Sequence, residues 1–308
     1  MSKNPFLGLG FSSSLISFAR QTLVSGIECS TLPSGRYLDL SAKKTGSVSA
    51  QETTPRGVFV GDSGNKMYVT GASGDGVDQY SLSTAWDPST ASHDTFEHLS
   101  QVGGATDIFF SSDGTRFYVL TAEGNYDAVI QYDMSTAWDV SSTTYASSQG
   151  SLGFGNNNDD VTGLTFSTDG VYMYVMSSYL RYMNRFTLST PWDASTAGSR
   201  VQDNFYSSQI TNVGQETGCA IDPTGTRFVI VHVQGDEIEE YTFDSAHDIA
   251  GTVTHVGSLS ISSDTTFPSG CCWGNNGRYF YVVSSTPNDE VIRYETCTDG
   301  AYKILGRP

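Results

Sequence analysis

The sequence contains little positive charge. Of its 308 residues, 16 are Lys or Arg and 33 are Asp or Glu, which gives a formal net charge of −17. Carboxylates spread over most of an exterior repel the phosphates of nucleic acids and of anionic lipids. We therefore predict no nucleic-acid partner and no membrane partner.

Long apolar runs are also absent. No stretch approaches the roughly 18 to 20 apolar residues of a membrane-spanning helix. The first 20 residues are apolar in part, but Gly and Ser interrupt them and no compact apolar region precedes a small-residue cleavage site. These residues are predicted to be a retained arm rather than a signal peptide.

Cysteine and the usual catalytic motifs are scarce. An odd count of 5 Cys with no C-x-x-C pair argues against a disulfide framework and against a structural zinc site. The sequence has no H-E-x-x-H, G-x-S-x-G, P-loop or dinucleotide-binding motif. We therefore predict no catalytic residue, no cofactor, no metal ligand and no enzymatic activity. The five histidines are expected to be polar residues of strands or loops: His93, His98, His232, His247 and His255.

What the sequence does contain is a repeat. The segment L-S-T-A-W-D-P-S-T-A around Trp86 returns around Trp138 and Trp192, and a fainter copy has His247 at the Trp position. We call this segment the W-D excursion. Repetition at a fixed period is typical of solenoids and propellers, so the repeat decides the fold before any single motif does.

A second repeated signal is a turn glycine followed by a short apolar strand, as in G-T-R-F-Y-V. Five such glycines occur about 50 to 56 residues apart: Gly64, Gly114, Gly170, Gly225 and Gly277. Each follows a small polar residue, and such pairs accept a positive φ in a tight hairpin turn. Each turn is therefore predicted to connect two strands.

Each unit has the pattern of one propeller blade. A small and apolar strand precedes the turn, an alternating strand follows it, a third strand leads into the W-D excursion, and a more polar fourth strand follows. The predicted fold is all-β, a β-propeller of four-stranded antiparallel blades, with five blades favoured and six as the alternative. Residues 1–35 are predicted to form an N-terminal arm and residues 36–308 the propeller, with residues 36–54 closing the last blade beside Val291–Tyr294.

Two of the cysteines fit this register. Cys219 and Cys271 stand six residues before their turn glycines, where other units have Val58, Ile108 and Leu164. They are predicted to pack in the core as small hydrophobic residues. A disulfide between the neighbours Cys271 and Cys272 is not expected, and the pattern assigns no role to Cys29, Cys272 or Cys297.

The W-D excursion has two interpretations. Its Asp, Ser and Thr side chains can hydrogen-bond nearby backbone amides and fold a compact turn, so that Trp86, Trp138 and Trp192 cover a blade edge. Alternatively, the three Trp side chains are exposed platforms on which sugar rings stack. The excursion is expected to lose its Trp at His247 in the fourth unit and at Glu295-Thr296-Cys297 in the fifth.

The combined motifs resemble those of a known family. The D-G-x-x-M-Y-V hairpin, the D-x-V-x-Q-Y strand, the W-D excursion and the lead-in S-V-S-A-Q-E-T-T-P-R-G are similar to the repeat of β-propeller proteins from bacteriophage and environmental viral genomes. This resemblance covers about Tyr37 to Tyr294. It implies a structural protein of the virion, associated with the tail or the capsid, within a larger symmetric assembly.

The arm is the predicted partner-binding element. Its apolar side chains have too little neighbouring sequence to form a blade, and exposed apolar surface usually marks a partner site; they are Phe6, Leu7, Leu9, Phe11, Leu15, Ile16 and Phe18. The predicted function is a non-enzymatic virion protein that binds other virion proteins through this arm and displays loops for host attachment, with a host surface glycan as a further partner. The alternative is a lectin or a glycan-active enzyme on a propeller scaffold.

Overall fold

The structure is a computed structural model that describes residues 27–123, 126–150, 161–178, 182–202, 216–285, 287–297 and 299–305. Five four-stranded antiparallel sheets form five blades, so the prediction of five blades is confirmed and the alternative of six is wrong. In the described ranges, helical structure is limited to short 3-10 turns. No helix among these residues is long and apolar enough to cross a membrane.

Four blades are formed from consecutive strands. Blade 1 contains β2 to β5, blade 2 β6 to β9, blade 3 β10 to β13 and blade 4 β14 to β17, while blade 5 combines β18 to β20 with β1. The strands are β1 Leu38–Ser47, β2 Pro55–Gly61, β3 Lys66–Gly71, β4 Gly76–Leu82, β5 Ala91–His98, β6 Ala105–Phe110, β7 Arg116–Glu123, β8 Tyr126–Met134, β9 Thr143–Gly150, β10 Val161–Phe166, β11 Tyr172–Ser177, β12 Tyr182–Thr187, β13 Val201–Gln202, β14 Glu216–Ile221, β15 Arg227–His232, β16 Glu237–Phe243, β17 Val253–Ser260, β18 Pro268–Gly274, β19 Tyr279–Ser284 and β20 Glu290–Thr296.

The second strand of each blade is apolar on both faces because each blade packs between two others. In β7, Phe117 and Val119 lie on one face and Tyr118 and Leu120 on the other, and none of the four is exposed. The inner strands β2, β6, β10, β14 and β18 contact one another in a closed ring. The core is therefore a set of layers between blades.

The two ends of the chain close this ring together. Strand β1 pairs antiparallel with β20 as the outermost strand of blade 5, with Thr45 opposite Ile292 and Gly46 opposite Val291. Strand β1 lies in the segment before Pro55, which the sequence analysis places beside Val291–Tyr294. This arrangement pairs the edge of β20 that would otherwise be exposed.

A disulfide joins the same two ends, which corrects the sequence-based expectation. Cys29 and Cys297 are bonded across a sequence separation of 268 residues. The odd number of cysteines does not exclude this bond, because three of them are buried in the core and the remaining two form the disulfide. Cys219, Cys271 and Cys272 are free and buried, so the predicted core packing of Cys219 and Cys271 is confirmed.

Candidate functional site

The W-D excursions fold as compact capped turns. Each contains a 3-10 turn directly after its Asp, and the Asp carboxylate accepts a hydrogen bond from the Ser amide two residues later. The distance is 3.0 Å for Asp87, Asp139 and Asp193. The short polar side chains thus hold the turn that presents each Trp.

Each Trp lies against the turn glycine of its own blade. Trp138 has a φ of 66°, and its amide donates to the carbonyl of Gly114 at 2.9 Å. A Cβ atom on Gly114 would come within 2.2 Å of the indole, so a side chain there would displace the ring. Trp86 on Gly64 and Trp192 on Gly170 repeat this contact, and the five turn glycines all have φ between 68° and 86°.

His247 and Tyr302 occupy the equivalent place in blades 4 and 5. Their φ values are 61° and 60°, their amides donate to Gly225 and Gly277, and their rings lie against those glycines. The expectation that the fifth excursion lies at Glu295-Thr296-Cys297 is therefore wrong. Those residues form the end of β20 and the start of the next turn. The ring that lies on Gly277 belongs to Tyr302, five residues after Cys297.

The excursions also connect neighbouring blades. The Tyr68 hydroxyl of blade 1 donates to the carbonyl of Trp138 in blade 2 at 2.7 Å, and the Tyr281 hydroxyl of blade 5 donates to Trp86 of blade 1 at 2.8 Å. In blade 4, Glu240 is fully buried and accepts from the amide of Leu305 at 2.6 Å. The C-terminal segment thus provides the excursion of blade 5.

The three Trp side chains are half-buried. Trp138 stacks on Phe110 at a centroid distance of 5.8 Å and also reaches Gly61 of the neighbouring blade. Trp192 stacks on Phe166 in the same way. The indoles cover blade edges, and each keeps a part of its surface accessible.

Beside Trp138, the junction of blades 1 and 2 forms an open polar groove of about 420 Å³. The Lys66 ammonium is 2.7 Å from Asp94, which also accepts from Gln79 and Ser81. Burial works against the ionised Asp94, but the hydrogen bond from Lys66 holds its pKa below the usual range. An aromatic ring beside fixed charges and hydroxyls is a combination suited to polar ligands with apolar faces.

A second cavity of about 210 Å³ lies on the propeller axis, on the side of the turn glycines. Its walls include the residues five positions before each turn glycine, which are Phe59, Phe109, Thr165, Ala220 and Cys272. Two blades have Phe at this position and three have small side chains, and this difference opens the cavity. None of its lining residues in the described ranges is charged. The cavity can accept a small apolar group.

The buried acids of the inner strands are held by backbone. Asp107 accepts from the amide of Leu164 in blade 3 at 2.7 Å and from Ile108 at 2.9 Å. The backbone of Asp107 lies close to that of Gly57 in the neighbouring inner strand. A Cβ atom on Gly57 would come within 2.7 Å of the Asp107 Cα. Burial raises the pKa of Asp107 well above its usual range. Asp222 accepts from the amides of Thr226 and Arg227 within its turn.

The free thiols near the axis are poor nucleophiles. Burial raises the pKa of Cys219 and of Cys271 well above the usual value. Because the thiolate is the reactive form, these side chains behave as small apolar groups.

The predicted partner-binding residues of the arm, from Phe6 to Phe18, lie outside the described residues. The sequence analysis did not single out Tyr302, Asp94 or Glu240. Only the register of the repeat would have indicated Glu240, because it aligns with Gln79 and Gln131, which accept backbone amides of the next excursion at 3.0 and 2.8 Å.

Comparison with known proteins identifies no family. No family profile matches the chain, and no curated protein matches it. Among solved structures, it is similar to a functionally unknown protein from Desulfotomaculum acetoxidans, with 12% identity over 75% of this chain and a TM-score of 0.44. The chain spans 62% of the length of that protein.

Two further solved structures are similar to the chain. A luciferin-regenerating enzyme has 14% identity, a TM-score of 0.49 and coverage of 86% of this chain and 98% of its own. Hydrazine synthase from Kuenenia stuttgartiensis has 14% identity, a TM-score of 0.47 and coverage of 77% and 70%. At such identities, similarity of fold does not extend to function.

Proposed function

We propose that this chain is a non-enzymatic structural component of a virion, attached to other virion proteins through its N-terminal arm. The observation that carries the proposal is that blade 5 is closed twice, by the pairing of β1 with β20 and by the Cys29–Cys297 disulfide. All twenty strands come from residues 38–296, so the described propeller is complete without residues 1–26. Those residues precede the outermost strand β1, and the chain therefore enters the propeller at its rim, where an arm can reach a partner.

The chemistry of the axis supports a role without catalysis. A glycan-active enzyme of the usual type needs two carboxyl groups on either side of the scissile bond. In this propeller the axial cavity has no charged residue among its described walls, and Asp107 and Asp222 accept hydrogen bonds from backbone amides.

The disulfide supports an oxidising environment. Disulfides persist in secreted proteins, in the periplasm and at the surfaces of virions and cells, and they are rare in the cytosol. The Cys29–Cys297 bond lies at the junction of arm and propeller, where it fixes the point from which the arm departs.

Deletion of residues 2–20 tests the anchoring role, because it leaves Cys29 and β1 in place. We expect the truncated chain to fold, with the circular dichroism and melting temperature of the full chain, but to be missing from purified particles. A full-length variant with Ser at the seven apolar arm positions is the matched control for length, and it should be missing as well. Normal incorporation of both variants, or absence of the full chain from particles, would overturn the proposal.

A second candidate function is glycan binding in the groove beside Trp138. The specific observation is the half-buried indole next to the Lys66–Asp94 pair, in a groove of about 420 Å³. Titration of host surface glycans should change the tryptophan emission of the wild type but not of Lys66→Gln. Arg116→Gln is the matched control, since Arg116 has the same place in the next blade and donates to the carbonyl of Trp192. Equal responses from both variants would exclude this groove.

A further inference from the structure

We propose that His232, Glu237 and Glu239 of blade 4 form a binding site for one divalent transition-metal ion of the zinc class. One His nitrogen and one carboxylate oxygen from each Glu lie within 4.8 Å of one another. The site is independent of the proposed virion role, and it differs from the sequence-based expectation that His232 is an ordinary strand residue.

The hairpin between β15 and β16 brings the three side chains together. His232 ends β15 and is the cross-strand partner of Glu237, which begins β16. Glu239 is two residues further along β16 and therefore lies on the same face as Glu237. His232 and Glu239 are buried, while Glu237 is half-buried and provides a route for an ion from solvent.

The spacing of the two buried groups suits a shared ion. His232 Nε2 lies 3.5 Å from Glu239 Oε1. Two ligands that each lie about 2.0 to 2.1 Å from a tetrahedral zinc ion are separated by roughly 3.3 Å, which is close to the observed distance.

Tyr241 holds the buried carboxylate in position. Its hydroxyl donates to Glu239 Oε2, which leaves Oε1 directed toward His232. Side chains that orient a ligand in this way are a regular part of metal sites. Tyr241 is itself fully buried, so the orientation is fixed by packing.

The other blades show that the propeller does not need this cluster. At the position of His232 they have Gly71, Thr121, Ser177 and Ser284, and at the position of Glu239 they have Asp78, Ile130, Asn184 and Ile292. The combination of one His and two carboxylates occurs in blade 4 alone of the five described blades. Blade 5 has Glu290 at the position of Glu237, but no other described blade has the full combination. Because the repeated scaffold folds without it in four units, its presence in one unit indicates a separate role.

The donor set determines the class of ion. One imidazole and two carboxylates with a free fourth position match tetrahedral zinc-type coordination. Calcium prefers six to eight oxygen ligands, and magnesium retains most of its water.

Titration of the untagged full-length chain with Co²⁺ provides the direct test. We expect one equivalent to bind, with visible absorption bands of tetrahedral intensity that Zn²⁺ abolishes and that millimolar Ca²⁺ and Mg²⁺ leave in place. Displacement by Ca²⁺ would show adventitious binding to the acidic surface. A strong near-ultraviolet charge-transfer band would place the ion on the free cysteines. Either result would overturn the proposal.

Three variants locate the site. His232→Ala and Glu237→Gln should each weaken Co²⁺ and Zn²⁺ binding at least tenfold. His93→Ala is the matched control, because His93 lies 2.9 Å from a single carboxylate, Asp78, in blade 1, and it should bind as the wild type does. Since Glu237 is half-buried, Glu237→Gln is expected to fold even if His232→Ala does not. Wild-type affinity in Glu237→Gln, or equal loss in His93→Ala, would overturn the assignment.

Discussion

The disulfide between the chain ends should contribute a large part of the stability of the propeller. In the unfolded chain it closes a loop with a sequence separation of 268 residues, whereas in the folded chain the ends are already adjacent. The Cys297 amide donates to the Tyr37 carbonyl at 2.8 Å, and the Tyr37 amide donates to the Ile304 carbonyl at 2.9 Å. The loop-entropy relation gives an upper value of roughly 5.6 kcal/mol for a loop of this length.

Equilibrium urea unfolding, followed by far-ultraviolet circular dichroism, measures this contribution. The double variant Cys29→Ser and Cys297→Ser should unfold at a lower urea concentration than the oxidised wild type, by several kcal/mol in the free energy of unfolding. Reductant should lower the wild-type midpoint to that of the double variant and leave the double variant unchanged. Equal midpoints of the oxidised and reduced wild type would refute the reasoning, because the folded ends would then be held equally well without the bond.

Three further predictions concern the blades and the axis. Trp138→Ala should lower the free energy of unfolding by about 2 to 4 kcal/mol, because it removes a half-buried indole that covers two glycines. Tyr145→Ala, at an exposed position, should change that free energy little. Equal urea midpoints for the two variants would contradict this prediction. Burial raises the pKa of Asp107 above the unfolded value of about 3.9, so the wild type should lose stability as the pH rises from about 4 to 7. Asp107→Asn should therefore gain stability relative to the wild type over that range. Parallel pH profiles of the urea midpoint for the two proteins would contradict the assignment. Ala220→Phe should fold with a melting temperature near that of the wild type, because two blades already have Phe at this position and the axial cavity has room for another. A decrease of more than about 3 kcal/mol in the free energy of unfolding, beyond the usual cost of overpacking, would show that the cavity cannot accept the ring.

The sequence predicts the number and the strand order of the blades because both depend on local chemistry that recurs. A glycine with positive φ is needed wherever an excursion ring lies on the turn, so Gly64 and its four equivalents mark the blades directly. The segment before Pro55 likewise has the sequence pattern of an outer strand, and β1 lies in that segment.

The missed features depend on contacts between distant residues. Tyr302 replaces Trp, and Lys303 and Leu305 follow it where the Trp excursions have Asp and Ser, so only its φ and its place over Gly277 reveal it. The disulfide could not be derived from a count of cysteines, because the core uses an odd number of them. The His232 cluster spans a hairpin with no recognised motif spacing and becomes visible only when the cross-strand register of β15 and β16 is known.

The five blades serve as comparisons for one another. A feature that all five share, such as the ring on the turn glycine, is needed to build a blade, and its loss should lower stability wherever it is tested. A feature of one blade or one junction is not required for folding in the remaining units. The cluster of blade 4, the groove beside Trp138 and the unequal axial ring of Phe59, Phe109, Thr165, Ala220 and Cys272 are of this second kind. Variants at these positions should therefore change binding before they change the fold, whereas variants of the turn glycines Gly114 and Gly170 should do the reverse.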